Sequence, residues 1–228
     1  MEHDQDGKAI GYFGEALMRL FGLSAQQIKW MRTKGPCFVA GTPVHTETGV
    51  KPIEEIKIGD RVWAFDRQKQ GWELAGVLAK MQRARAKVFS LTLSDGIVLT
   101  GTGGHPFWVI EGEDLDSRSW ADHGVDEWPG PTPGQWVGLA SLRPGDVLLS
   151  RLGKTCRALS VAVQLEEQPV YNFEVEGLHS YAVAEIGVLV HNTGPECGPG
   201  GAHIPDKVAK PDQPKVPDAG SIKKPDIA

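Results

Sequence analysis

Four short stretches of this chain carry side chains suited to breaking or rearranging a peptide bond. They are Cys37 in Cys37-Phe38-Val39-Ala40-Gly41-Thr42-Pro43-Val44, the run Thr102-Gly103-Gly104-His105, the lone His179, and the pair His191-Asn192. A thiol one bond beyond a peptide carbonyl can attack that carbonyl through a five-membered ring. In a well-aligned site, proximity alone lowers such a barrier by roughly 7–11 kcal/mol. Sulfur suits this task because its thiolate is accessible near neutral pH. An asparagine side-chain amide can attack its own carbonyl in the same way, closing a succinimide ring and releasing the chain beyond it. Histidine, with a pKa near neutrality, is the residue that moves protons in such steps. Each stretch alone is a weak signal. Their order matters more, because the cysteine and the asparagine bracket the part of the chain that reads as folded.

That part, residues 37–192, reads as all β. Short apolar stretches at Val88–Leu93, Ile97–Leu99, Val147–Leu149, Val170–Val175, Tyr181–Val183 and Val188–Val190 are separated by Gly, Asp and Pro. Alternation of Phe173 and Val175 with Glu174 and Glu176 follows the strand period. The stretch from Glu111 to Gln135, with Pro129, Pro131 and Pro133, reads as a long surface loop between two halves. An internal repeat supports two halves. Ile53, Ile56, Gly59, Asp60 and Val62 recur in register as Leu139, Leu142, Gly145, Asp146 and Leu148. Each copy is followed by a second matching segment, Val88–Leu93 and Val170–Val175. Two β subdomains related by a pseudo-twofold axis are expected.

The flanks differ. In residues 1–36, Ile10, Phe13, Leu17, Leu20 and Phe21 recur at helical spacing, and Ser24 with Gln27 forms a capping box. Gly35 and Pro36 end this helical lead-in just before Cys37. Residues 193–228 hold Pro195, Pro199, Pro205, Pro211, Pro214, Pro217 and Pro225 with few bulky apolar side chains, a composition expected to remain disordered.

Taken together, these motifs resemble the Hint superfamily of inteins, bacterial intein-like domains and Hedgehog autoprocessing domains. They are most similar to the pre-toxin Hint domains of bacterial polymorphic toxins. The resemblance runs from Cys37 to Asn192. It is carried by Cys37–Thr42 with Gly49, Ile53, Ile56 and Gly59-Asp60, and by Val170–His179 running on to Gly187–Asn192. It implies a horseshoe-shaped, pseudo-symmetric all-β fold that processes its own backbone once and needs no cofactor or metal. Cys37 would take up the preceding acyl group as a thioester. His105 would protonate the departing amine, and Thr102 would help hold the scissile amide. Asn192 would cyclise and cleave before Thr193. His191 would polarise the carbonyl or protonate the leaving nitrogen, with help from His179. The substrate would be the chain's own flanks, and the parent protein would carry a toxin or effector downstream. A homing-endonuclease insertion does not fit between His105 and Val170.

Three positions bear on how closely the chain follows the intein pattern. Asn172 stands where inteins often carry aspartate, and an amide orients groups without exchanging protons as a carboxylate does. Thr193 offers only a hindered secondary hydroxyl as acyl acceptor, so cleavage is expected to exceed ligation. Pro36 places a rigid ring on the acyl side of Cys37.

Composition narrows the alternatives. With 228 residues, a net charge of −5 and no concentrated basic run, the chain gives no electrostatic case for nucleic-acid binding. No apolar run is long enough to span a bilayer and the first residues form no signal peptide, so a soluble, cytoplasmic monomer is expected as the chain is written. Delivery by secretion would belong to the parent. Three cysteines, Cys37, Cys156 and Cys197, suit neither a disulfide scaffold nor a zinc knuckle. His3, His45, His123 and His203 lack ligand spacing. Trp63, Trp72, Trp108 and Trp136 read as packing residues. The alternative function is a degenerate, inactive Hint fold acting as a spacer. A cysteine hydrolase acting in trans fits less well, because Cys37 and Asn192 lie at segment edges.

Overall fold

A computed structural model of the chain describes residues 35–118 and 132–192. The expected helical lead-in before Gly35, the middle of the segment expected to form a long loop and the tail from Thr193 lie outside the described residues. So do Thr193 itself and Cys197.

The described residues form fourteen strands and no long helix. The first half contains β1 (Phe38–Val39), β2 (Pro43–Thr46), β3 (Gly49–Pro52), β4 (Arg61–Asp66), β5 (Gly71–Ala86), β6 (Val88–Leu93) and β7 (Val98–Thr102). The second contains β8 (Pro106–Glu111), β9 (Gln135–Gly138), β10 (Val147–Leu148), β11 (Cys156–Val163), β12 (Gln168–Val175), β13 (Ser180–Val183) and β14 (Val188–His191). Thirteen of them hydrogen-bond in the order β10-β11-β6-β7-β1-β12-β5-β4-β2-β13-β14-β8-β9, β3 pairs with β2 off this path, and β10 also pairs with β8. This pairing turns the sheet back upon itself, the horseshoe expected from the sequence.

The repeat is visible atom by atom. Ile53–Glu55 and Leu139–Ser141 each form one 3-10 turn, entered through Pro52 at φ −59°, ψ 142° and Gly138 at φ −64°, ψ 143°. Both turns then reach a glycine in the left-handed region, Gly59 at φ +90° and Gly145 at φ +97°, where a side chain would be strained. The following aspartates cap their own turns: Lys57 N–H donates to Asp60 Oδ2 at 3.0 Å and Arg143 N–H to Asp146 Oδ2 at 2.8 Å. Asp60 then pairs its backbone with Val77, and Asp146 with Ala158. Thus β5 and β11 hold equivalent places in the two halves.

Apolar burial follows the same plan. Ile53, Ile56, Val62, Leu139, Leu142 and Leu148, the hydrophobic positions of the repeat, all enter one core with Phe38, Phe107, Phe173 and Tyr181. The loop between halves is more ordered at its start than its composition suggests. Leu115–Arg118 forms a 3-10 turn, and Arg118 makes a two-point ion pair with Asp146 at 2.7 and 2.8 Å. Both partners are almost fully buried, so the fork-to-carboxylate geometry is what offsets their desolvation.

The alternation in β12 does not separate a buried face from a solvated one: Asn172 and Glu174 are buried just as Phe173 and Val175 are. The second face of β12 is buried too, and from it Asn172 reaches the Pro36 carbonyl and Glu174 meets His179.

Candidate functional site

Cys37 lies at the entrance to β1, a two-residue strand wedged between β7 and β12, with Phe38 opposite Gly101 and Tyr171. Gly101 admits this approach because it lacks a side chain: a Cβ there would sit 2.8 Å from the Cys37 carbonyl oxygen and from the Phe38 ring. The neighbouring Thr102 grips Cys37 on both sides. Its hydroxyl accepts the Cys37 N–H at 3.0 Å, and its own N–H donates to the Cys37 carbonyl at 2.9 Å. The N–H gripped in this way belongs to the Pro36–Cys37 peptide.

The carbonyl of that same peptide is held from the other side. Asn172 Nδ2 donates to the Pro36 oxygen at 2.7 Å. The Asn172 amide cannot rotate away, because its oxygen accepts from the Phe173 N–H at 2.9 Å and from the Tyr181 hydroxyl at 2.8 Å. Burial keeps the Tyr181 phenol protonated, well above its ordinary titration range, so it remains a donor. Asn172 is therefore a fixed donor aimed at the oxygen on which charge would develop during attack at Pro36.

The other end of the folded region meets the next residue of the same strand. Asn192 is buried. Its Nδ2 donates to the Phe173 carbonyl at 2.8 Å and its backbone N–H to the His179 carbonyl at 2.9 Å, while Oδ1 has no hydrogen-bond partner. Consecutive residues of β12 thus hold the Pro36 carbonyl and the Asn192 amide.

Three histidines line this region. His105 ends a turn whose N–H returns to the Thr102 carbonyl, and its ring lies 3.9 Å from that of Phe38. Both ring nitrogens are buried without a hydrogen-bond partner. His191 on β14 is edge-on to Trp136 at 4.9 Å and parallel to His179 at 6.5 Å. His179 Nδ1 in turn meets Glu174 Oε1 at 2.6 Å. Its backbone has φ +46°, a left-handed turn that brings its ring back toward β12 and β14. Burial pushes the pKa of His105 well below the usual range. It does the same to His191, aided there by the neighbouring His179, Arg67 and His105.

Two groups at the site were not singled out in the sequence. Arg83 of β5 donates from Nη2 to the Gly35 carbonyl at 2.7 Å, beside the Cys37 thiol, whose Sγ lies 3.7 Å from that same oxygen. Glu174 was read only as one member of an alternating strand pattern. Trp136, read as packing, also forms a wall against His191. Among the described residues, no group of three His, Cys, Asp or Glu is arranged to hold a metal ion. No helix there is long and apolar enough to cross a membrane.

Neutral buried histidines carry a stability consequence. Where the folded pKa is depressed below 6.5, the unfolded chain binds more protons as pH falls through that value, and stability is lost. The urea midpoint is expected to fall between about pH 8 and about pH 5, and a His105→Leu variant to show a shallower fall. Equal slopes for the two proteins would contradict a neutral buried His105.

No protein-family model and no curated protein matches the chain. Solved structures do. The chain is similar to a bacterial intein-like domain from Clostridium thermocellum at 31% identity and TM-score 0.55, covering 68% of this chain and 98% of that one. A DnaB intein from Synechocystis sp. PCC 6803 is similar in fold at 16% identity and TM-score 0.52, over 69% of this chain and 99% of that one. The Ssp DnaB mini-intein variant M86 gives the same identity and TM-score over 69% of this chain and 94% of its own. The chain belongs to the Hint superfamily, the family of inteins and bacterial intein-like domains.

Proposed function

We propose that this domain cleaves its own backbone at two places, before Cys37 and after Asn192. In the first step, Cys37 Sγ bonds to the Pro36 carbonyl carbon. The C–N bond of the Pro36–Cys37 peptide breaks, and the thiol proton is replaced in the balance by one gained on the Cys37 nitrogen. Asn172 stabilises the intermediate's oxyanion, and Thr102 holds the leaving nitrogen. His105 carries the proton. Its resting neutrality lets it accept one as negative charge appears nearby and return it to the amine. Water or a small thiol then takes the acyl group.

In the second step, Asn192 Nδ2 bonds to the Asn192 carbonyl carbon, the bond to Thr193 breaks, and a proton passes from Nδ2 to the departing Thr193 nitrogen. His191 serves that carbonyl and nitrogen, while the Glu174–His179 pair holds a proton close by. Asn172 transfers no proton, so the two steps are linked by position along β12. In keeping with the resemblance to pre-toxin domains, the natural cargo in this reading is the segment on the C-terminal side.

The observation that carries this reading is the contact of both reactive ends with consecutive residues of one strand: Asn172 with the Pro36 carbonyl, and Phe173 with the Asn192 amide. Intact-mass measurement of the purified chain over hours in dithiothreitol tests it. Loss of 1–36 and of 193–228, at rates independent of protein concentration, is the expected result. A chain unchanged over days would mark an inactive fold, and a rate rising with concentration would mark hydrolysis in trans.

A further inference from the structure

On the reading that Cys37 is the nucleophile, we infer that Arg83 is the residue that readies it, fixing the acyl segment beside the sulfur and placing a positive charge where the thiol must give up its proton. The argument starts from a single oxygen. The Gly35 carbonyl accepts from Arg83 Nη2 at 2.7 Å and lies 3.7 Å from Cys37 Sγ, so guanidinium and thiol converge on one atom. The guanidinium charge also bears on the thiol, favouring its ionised form against the effect of burial. The fork of a guanidinium suits this place, with one N–H on the carbonyl and the retained charge beside the sulfur.

A buried thiol needs such a partner. Cys37 is 1% exposed, and burial raises its pKa; the charge and hydrogen bond of Arg83 oppose that rise. The other titratable groups facing this corner are His105, in the turn after β7, and Tyr181 on β13. Burial favours the neutral form of both, so neither supplies positive charge to the resting sulfur. The second buried thiol, Cys156, shows the contrast. Burial, with Asp95 as its charged neighbour, pushes it up to about 12.

The fold places Arg83 here by register. Near its end, the long β5 pairs Arg83 with Val170 of β12, one residue beyond the Tyr171 that faces Phe38. A register shift in the β5–β12 ladder falls next to this pair. Arg83 donates its N–H groups and gives up no proton. The thiol proton leaves to His105 or solvent, and the guanidinium stays charged throughout.

The test uses the full chain labelled with carbon-13 at cysteine Cβ and titrated without added thiol. In wild type, the Cys37 resonance is expected to titrate below that of Cys156. Arg83→Gln should move the Cys37 midpoint upward by about one to three pH units, the range an adjacent opposite charge commands. Arg83→Lys should restore most of that shift. In dithiothreitol, the pH profile for release of 1–36 should move upward with the same variants. Should Arg83→Gln fail to fold, the order of the two wild-type thiols decides: Cys37 titrating with or above Cys156 overturns the inference. Release of 1–36 with an unchanged titration and pH profile in Arg83→Gln overturns it as well and leaves the proposed function standing. A shifted titration in a chain that never releases 1–36 supports the role of Arg83 and removes the proposed function.

Discussion

Asn192→Ala is expected to retain the 193–228 segment completely while still releasing 1–36, and Cys37→Ala to do the reverse. Each substitution deletes a nucleophile that lies in the same chain as its target, so what is lost is the proximity of an intramolecular reaction, roughly 7–11 kcal/mol. No slower version of the same step replaces it on a laboratory timescale. The two effects should separate because the two ends touch β12 through different atoms. The Pro36 carbonyl is held by the Asn172 side chain, and Asn192 by the Phe173 backbone, which neither substitution alters. Asn192→Ala leaves a buried carbonyl without its donor, at a cost of about 1–3 kcal/mol. Urea midpoints for both variants therefore accompany the mass time course. Retention of both segments in either single variant would show obligatory coupling. Release of the tail from Asn192→Ala would remove cyclisation from the reading.

The difference between what the sequence disclosed and what it hid is physical. The repeat was legible because it is local: Ile53 to Val62 and Leu139 to Leu148 each form a turn whose glycine and capping aspartate sit at fixed spacing. The strand around Phe173 was legible for the same reason. β5 was not. Its Leu78, Ala79, Lys80, Met81, Gln82, Arg83 and Ala84 are good helix formers, and only pairing with β4 at one end and β12 at the other makes them a strand. Arg83 was hidden with it, since its target, the Gly35 carbonyl, is 48 positions away. Glu174 was in plain view, five residues before His179. Period-two alternation says only that it faces away from Phe173 and Val175; that this face of β12 is also buried depends on elements distant in sequence. Cys37, Thr102, His105 and Asn192 could be named from the sequence. That Thr102 touches the Cys37 N–H and Asn172 the Pro36 carbonyl could not, because those contacts depend on how β1 fits between β7 and β12.

Asn172 is where this difference matters most for chemistry. As an amide in place of a carboxylate, it cannot act as acid or base, which by itself suggests a weakened site. Its position gives it another use. Tyr181 and the Phe173 N–H both donate to its oxygen, which leaves the NH2 group directed at the Pro36 carbonyl before any reaction begins. A donor fixed in advance in a dry site spends nothing on reorganisation as charge develops, and losing one costs about 10²–10³ in rate. Asn172→Ala is therefore expected to slow dithiothreitol-driven release of 1–36 by about 10²–10³-fold. Release of 193–228 should change far less, since its contact on β12 is a backbone carbonyl. Tyr181→Phe should produce a smaller loss in the same step. It removes one of two anchors and leaves the amide free to turn part of the time. A rate for 1–36 release unchanged by Asn172→Ala, in protein with a native urea midpoint, would mean that the Pro36 oxygen draws its stabilisation from elsewhere. Equal slowing of both releases would instead make Asn172 a scaffold for β12 as a whole.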